Sequence, residues 1–380
     1  MSRLRILFSG MVAGDPGQGG ASWAVLQYVL GLRGLGHEVY LVEPVDRLER
    51  RSVDYFATLM RDFGLGDNAA LLVRGTTESF GLRHRELVRL AGTTDILFNV
   101  SGMLRDEALV GPPPLRVFLD LDPAFNQLWH AAERIEMGFE LHNRFATVGL
   151  ELGEPGCPVP TCAREWVKTL PPVFLPCWEP AEPIETDAFT TVGNWRGYGS
   201  IAWRGRRYGQ KAHSLRKLFE LPRLTGERLM PALAIDPGET DDLLALRSHG
   251  WELADPGDVA RTPQRYASFV RGSKGELGIA KEGYVESRCG WFSDRSAAYL
   301  ASGRPVVAQG TGFSRHLPVG EGLFSFETAE QAASAIDEVA ADYERHARAA
   351  RSLAEAELDS SLVLERLLAR LGASPPPGVR

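Results

Sequence analysis

The chain has 380 residues, 44% of them hydrophobic and 24% charged; this is a globular balance, and the length exceeds one ordinary core and suits two domains. Its formal net charge of −7 gives no electrostatic reason to expect a nucleic-acid partner. No stretch approaches the ~18–20 apolar residues of a membrane span, and the apolar run in "MSRLRILFSG" is too short for a signal peptide, so a cytoplasmic protein is expected.

In chain order, "RLRILFSG" reads as a strand ending in Gly, and "ASWAVLQYVLGLRGLG" has helical spacing with a stop at Gly36. "HEVYLVEP" is a second strand, and "RSVDYFATLMRDFGLG" a helix again closed by Gly. "TDILFNVSG", "LRVFLDLDP" and "FATVGLELG" are three more strands. Short continuous apolar strands separated by helices are the pattern of a parallel sheet covered on both faces. The Pro-rich passage from "GEPGCPVPTC" through "TLPPVFLPCWEPAEPIE" reads as an interdomain linker region. The cysteines, Cys157, Cys162, Cys177 and Cys289, include "CPVPTC", which lacks a second pair at zinc spacing; reduced thiols and no metal are expected.

The pattern then restarts with the strand "AFTTVGNW", the helix "GQKAHSLRKLFELP", the strand "PALAID" and the helix "TDDLLALRSHG". "YASFVRGSKGELGIAK" runs from helix into strand, "GLFSF" is a further strand, and "TAEQAASAIDEVAADYERHARAARSLAEAEL" is one long helix or two abutting ones. The expected fold is α/β, with two Rossmann-like doubly wound parallel-sheet domains facing across a cleft. Residues 1–178 form the first domain, 179–345 the second, 346–372 a C-terminal helix and 373–380 a disordered tail. Ligands of such sheets gather at the carboxyl ends of the strands.

Those ends carry the candidates. "SGMVAGDPGQGGASW" supplies a Gly-rich loop in which Gly19 and Gly20 permit close approach of a phosphate or sugar. Gly17 and Gly19, with Glu43 ending the second strand, also mimic a dinucleotide fingerprint, so a nicotinamide enzyme is a rival; Ser22 stands at the fingerprint's last position and the loop is longer than its tight turn. Asp120 and Asp122 alternate at the end of "LRVFLDLDP". Asp122 is the candidate base, and Asn126 and Gln127 the candidates to position an acceptor. The alternative is that Asp122 caps the following helix. In the second half, Gly193, Asn194 and Trp195 offer backbone approach, a hydrogen bond and a stacking face, while Lys281 could neutralise a diphosphate. Ser293 reads as a helix cap with Asp294, Arg295 and Ser296 in the first turn, where free N–H groups, hydroxyls and a guanidinium would gather an anion. The alternative is simply a well-capped helix.

The segment "AAYLASGRPVVAQGTGFSRHLPVGEGLFSFET", followed by an Ala-rich helix, resembles the donor-binding half of GT-B glycosyltransferases. "CGWFS" is similar to a Cys-Gly-Trp-Asn-Ser run of sugar transferases. The likeness covers roughly the last hundred residues, and the first half only in layout. It implies transfer of a sugar from a nucleotide diphosphate sugar, UDP-linked first and dTDP- or GDP-linked otherwise, to a small-molecule acceptor held by the first domain, with no further cofactor. The helix at Ser293 would hold the leaving diphosphate in place of a metal, and the terminal helix would cross back onto the first domain. The ribose-binding Glu of many such enzymes is replaced by Ala298, with Glu282 and Glu286 as substitutes. A nucleotide-sugar epimerase and a non-catalytic nucleotide-sugar binding protein remain as alternatives.

Overall fold

The computed structural model describes residues 3–180 and 183–373; all but the first residue of the tail expected to be disordered lies outside them. The first half is an eight-stranded sheet of β1 (Arg5–Ser9), β2 (Glu38–Val45), β3 (Ala69–Val73), β4 (Ser79–Gly81), β5 (Ile96–Val100), β6 (Leu115–Asp120), β7 (Arg144–Thr147) and β8 (Trp166–Lys168). Their order is β4-β3-β2-β1-β5-β6-β7-β8, parallel except for the β3–β4 pair. The central strands bury both faces, as "RILFS" and "ILFNV" do almost entirely, because helices cover the sheet on each side. Strand order reverses between β1 and β5, the switch point at which such sheets open a crevice.

The second half begins with β9 (Thr186–Asn194), followed by a small antiparallel hairpin of β10 (Ile201–Trp203) and β11 (Arg206–Tyr208). β12 (Leu229–Ala234), β13 (Ser273–Gly278), β14 (Val306–Gln309) and β15 (Leu323–Phe326) complete a five-stranded parallel sheet in the order β12-β9-β13-β14-β15. The Pro-rich passage is not all linker: Trp166–Lys168 pairs with β7 and extends the first sheet.

The C-terminal stretch divides into helices Ala329–Ala341 and Tyr343–Leu353, a π turn, and a last helix Ser360–Arg370. That last helix lies against the first one, Gly19–Gly34, where a Cβ on Gly31 would sit 2.7 Å from Leu364 Cδ1. Trp23 of the first half, Trp178 of the connection and Tyr266 of the second half pack in sequence, tilted and then edge to face, with centroids 4.9 and 6.2 Å apart. One apolar core therefore runs across the junction. Among the described residues no helix is long and apolar enough to cross a membrane.

Candidate active site in the interdomain cleft

A cavity of about 700 Å³ lies between the two sheets. The loop after β1, the start of the first helix and Asp122 line one wall. The end of β9, Lys211, Lys281 and the residues around Ser293 line the other. This is the size and placement of a small-ligand site at facing strand ends.

Its floor is cationic. Lys211 opens the helix Lys211–Arg216, is 7% exposed, and donates through Nζ to the Ile279 carbonyl. Gly193 allows this, since a Cβ there would sit 3.0 Å from Lys211 Cε. Burial, with the Arg295 charge nearby, pushes the Lys211 amine well below the ordinary lysine range. Arg295 donates through Nε to Glu276 at 2.5 Å and through Nη1 to the Val192 carbonyl at 2.8 Å, while its Nη2 is buried without a partner. Lys211 Nζ spends one donor on Ile279, and Arg295 Nη2 is buried without a partner, as is Glu276 Oε2; an anion entering this low-dielectric cleft would favour the charged form of Lys211.

Ser293 caps the helix Asp294–Ala301, its Oγ accepting from Arg295 N at 3.2 Å. Burial raises the Asp294 carboxyl pKa, although the adjacent Arg295 charge works the other way. Ser293 thus answers one first-turn amide, and Ser293, Asp294 and Arg295 all line the cleft. Ser296 is corrected. It is buried away from the cleft beside Gly278 and Ala308, on the helix face that packs on the sheet.

Asp122 faces the second half. Its carboxylate accepts from Lys281 Nζ at 2.9 and 3.0 Å, from the Tyr198 hydroxyl at 2.5 Å and from the Tyr284 hydroxyl. It does not cap the next helix, Phe125–Ala131; that position belongs to Ala124, in a strained turn at φ 74°, ψ −50°. Asp120 is corrected as a candidate. It is fully buried and accepts from Asn126 Nδ2 (2.6 Å), Gln127 Nε2 (2.8 Å) and Thr147 Oγ1 (2.7 Å). Burial outweighs these bonds and lifts its pKa to about 6. Asn126 and Gln127 are corrected with it, since both are buried and their amides serve Asp120 rather than a ligand.

Trp195 offers no stacking face: it is 1% exposed in the core of the second half, with Nε1 donating to Asp242 at 3.1 Å. Asn194 and Lys281 do line the cleft. Gly20 borders it, but Gly19 does not; a Cβ on Gly19 would meet the Thr262 carbonyl oxygen at 2.3 Å, and one on Gly20 would meet Tyr266 at 2.9 Å. These glycines serve contact between the halves. Glu43 binds the backbone amides of Val12, Ala13 and Gly14 at 3.1, 2.8 and 2.6 Å and so fixes the Gly-rich loop. Glu282 is committed to Arg207 and Lys217, and Glu286 lies beside the same Lys217. Lys211 was missed, because a lone lysine in "GQKAH" carries no signal of burial; only its place after a strand and at a helix start pointed to it.

No protein-family model and no curated protein matches the chain. Among solved structures, an alpha-glucosyltransferase in complex with UDP-glucose and DNA containing an abasic site aligns with a TM-score of 0.61 at 12% identity, covering 97% of this chain and 99% of that one. Anabaena HepE in complex with UDP and glucose gives 0.58 at 13% identity over 98% and 100% of the two chains. A glycosyltransferase from Rickettsia africae gives 0.52 at 12% over 98% and 99%. The chain has the GT-B fold, two Rossmann-like halves across a cleft, over nearly its whole length. The expectation that nucleic acid has no place here is overturned, because alpha-glucosyltransferases of this fold are seen in complex with DNA. Whole-chain charge says nothing of the charge beside one cleft.

Proposed function

We propose that the protein transfers a sugar from a nucleotide diphosphate sugar, UDP-linked first, to an acceptor hydroxyl in the interdomain cleft. The observation that carries this reading is the buried pair Lys211 and Arg295, with donors left over at the cleft floor. Solved structures of the same fold hold UDP or UDP-glucose, and a diphosphate suits those donors. Residues 179–345 would hold the donor and residues 1–178 present the acceptor, for which DNA is the class found in complex with proteins of this fold.

In the transfer, the acceptor oxygen bonds to the anomeric carbon as the carbon–oxygen bond to the diphosphate breaks. Lys211 and Arg295 hold the charge that develops on the leaving diphosphate. Asp122 is the carboxylate nearest the reacting groups from the first half, and Lys281 occupies it in the free protein. A diphosphate that draws Lys281 away releases Asp122 to take the acceptor proton. Closure of the halves excludes water that would hydrolyse the donor.

The test is thermal melting with UDP, GDP, dTDP and ADP and their common sugar conjugates, on wild type and Lys211→Met. A stabilisation specific to one base, absent in the variant, establishes the donor site. Wild type showing no shift at saturating nucleotide overturns the reading. Turnover is then measured on simple sugars and on duplex DNA with and without a hydroxymethylated base.

A further inference from the structure

Residues 188–219 hold seven Lys and Arg and no Asp or Glu, in a chain whose net charge is −7. Four of the seven form ion pairs with acidic groups outside the segment, and Lys211 is buried. Arg204 and Arg206 are exposed and, among the described residues, meet no carboxylate. They stand at the turn of the β10–β11 hairpin, flanking Gly205.

That turn is held in an unusual way. Trp203 pairs with Arg206, so only Arg204 and Gly205 make the connection, with φ values of +47° and +76°. Two-residue turns with both φ positive normally take Asn or Asp before Gly, because a longer side chain is strained there. An arginine kept at such a position is strain of the kind found at functional sites. Its guanidinium lies 5.3 Å from the Trp203 ring centroid, which fixes its direction.

The hairpin rises from the cleft wall. Tyr198 before it and Gln210 and Lys211 after it all line the cavity. Three residues per strand set the turn about 10 Å from the hairpin's base. We propose that the β10–β11 hairpin is a docking arm for a nucleic-acid acceptor, with Arg204 and Arg206 taking backbone phosphates while the cleft holds the donor; the assignment rests on the glycosyl-transfer reading above. Guanidinium forks match phosphate oxygens in pairs, and two of them on either side of one glycine, Arg204 held over Trp203 and Arg206 free to adjust, suit a repeating anion. Such contacts set position and carry no base preference.

The probe is a fluorescein-labelled 13-base-pair DNA duplex, followed by anisotropy from 50 to 200 mM NaCl with UDP present. Wild type is compared with Arg204→Asn/Arg206→Gln. Asn is the residue this turn prefers, so the variant keeps its fold, checked by its melting temperature. The expected result is at least tenfold weaker binding in the variant at 50 mM salt and a salt slope about 2 units shallower, at roughly 0.9 per phosphate lost. The stabilisation by UDP should be unchanged. Equal affinities, no binding by wild type at low salt, or binding to phosphatidylglycerol vesicles in place of DNA would each overturn the proposal. A UDP shift with no DNA binding removes only the arm. Arginine-dependent DNA binding with no UDP shift in either protein removes only the donor reading.

Discussion

Lys211 is the side chain on which the donor reading turns, because its burial makes the ammonium form costly until an anion arrives. Its amine titrates below 10.5, first from desolvation and then from Arg295. A bound diphosphate restores the charge, so binding takes up a proton wherever the free protein has lost it. UDP affinity in wild type should therefore weaken as pH rises above that depressed pKa, and Lys211→Met should show a flat profile. The variant should also lose 1.5–3 kcal/mol of binding, roughly ten- to a hundredfold, the value of a hydrogen bond to a charged group. Titration calorimetry at several pH values measures both. A variant that binds like wild type would show that the diphosphate lies elsewhere.

Asp120 gives a second residue-scale test with the opposite sign. Burial raises its folded pKa to about 6 from 3.8, so the folded state binds the proton more readily than the unfolded state. Its charged form is a penalty above pH 6, relieved as pH falls through 6 toward 4. Wild type should gain stability relative to Asp120→Asn between pH 7 and 5, by about 1.3 kcal/mol, since the interval covers roughly one unit below the folded pKa at 1.36 kcal/mol per unit. Denaturant melts at the two pH values decide this. A constant gap would mean that its hydrogen bonds keep the carboxylate ionised.

At the scale of elements, the first helix meets the helix Pro263–Gly272 of the second half with almost no space. Gly19 N donates to the Ala260 carbonyl at 2.6 Å, and Trp23 Nε1 donates to the Pro263 carbonyl at 2.8 Å. Gly19→Ala would drive a methyl into the Thr262 carbonyl, a backbone group that cannot swing aside. We expect a loss of about 1–3 kcal/mol in stability by urea melts, the usual cost of overpacking. Wild-type stability in the variant would mean that the halves shift at no cost. The same contact shows what the sequence could reveal. Strands such as "ILFNV" were legible because both faces are apolar, whereas β8 and the β10–β11 hairpin, three residues per strand, are too short for any period to appear. Asp122, Lys281, Gly193 and Ser293 were legible as cleft residues because strand ends and caps leave local signals. Asp120, Asn126, Gln127 and Trp195 were misplaced because one residue of strand phase, or burial by a distant element, decides whether a polar group faces ligand or core. Gly19 looked like a loop glycine although the constraint on it comes from Thr262, more than two hundred residues away.

In the whole molecule, the halves share an apolar core behind the cleft and polar links in front of it. The core runs through Trp23, Trp178 and Tyr266. At the front, Glu151 accepts from Arg315 and His316, Gly149 pairs with Trp291, and Asp122 meets Lys281, Tyr198 and Tyr284. A packed core resists separation, while the Asp122–Lys281 pair, each side chain about a quarter exposed, exchanges partners at modest cost, so rotation about the rear core is the motion this arrangement permits. The Asp122–Lys281 pair then has two states, paired together or, with donor present, Lys281 on the diphosphate. Asp122→Ala removes the competitor for Lys281. We expect it to bind UDP more tightly than wild type, by up to about tenfold or 1.4 kcal/mol, while sugar transfer falls. X-ray scattering should find the ligand-free variant more open than wild type and UDP closing both. A purely structural Asp122 would give the reverse for binding, with UDP affinity falling alongside stability, and Lys281 would then have no part in holding the donor.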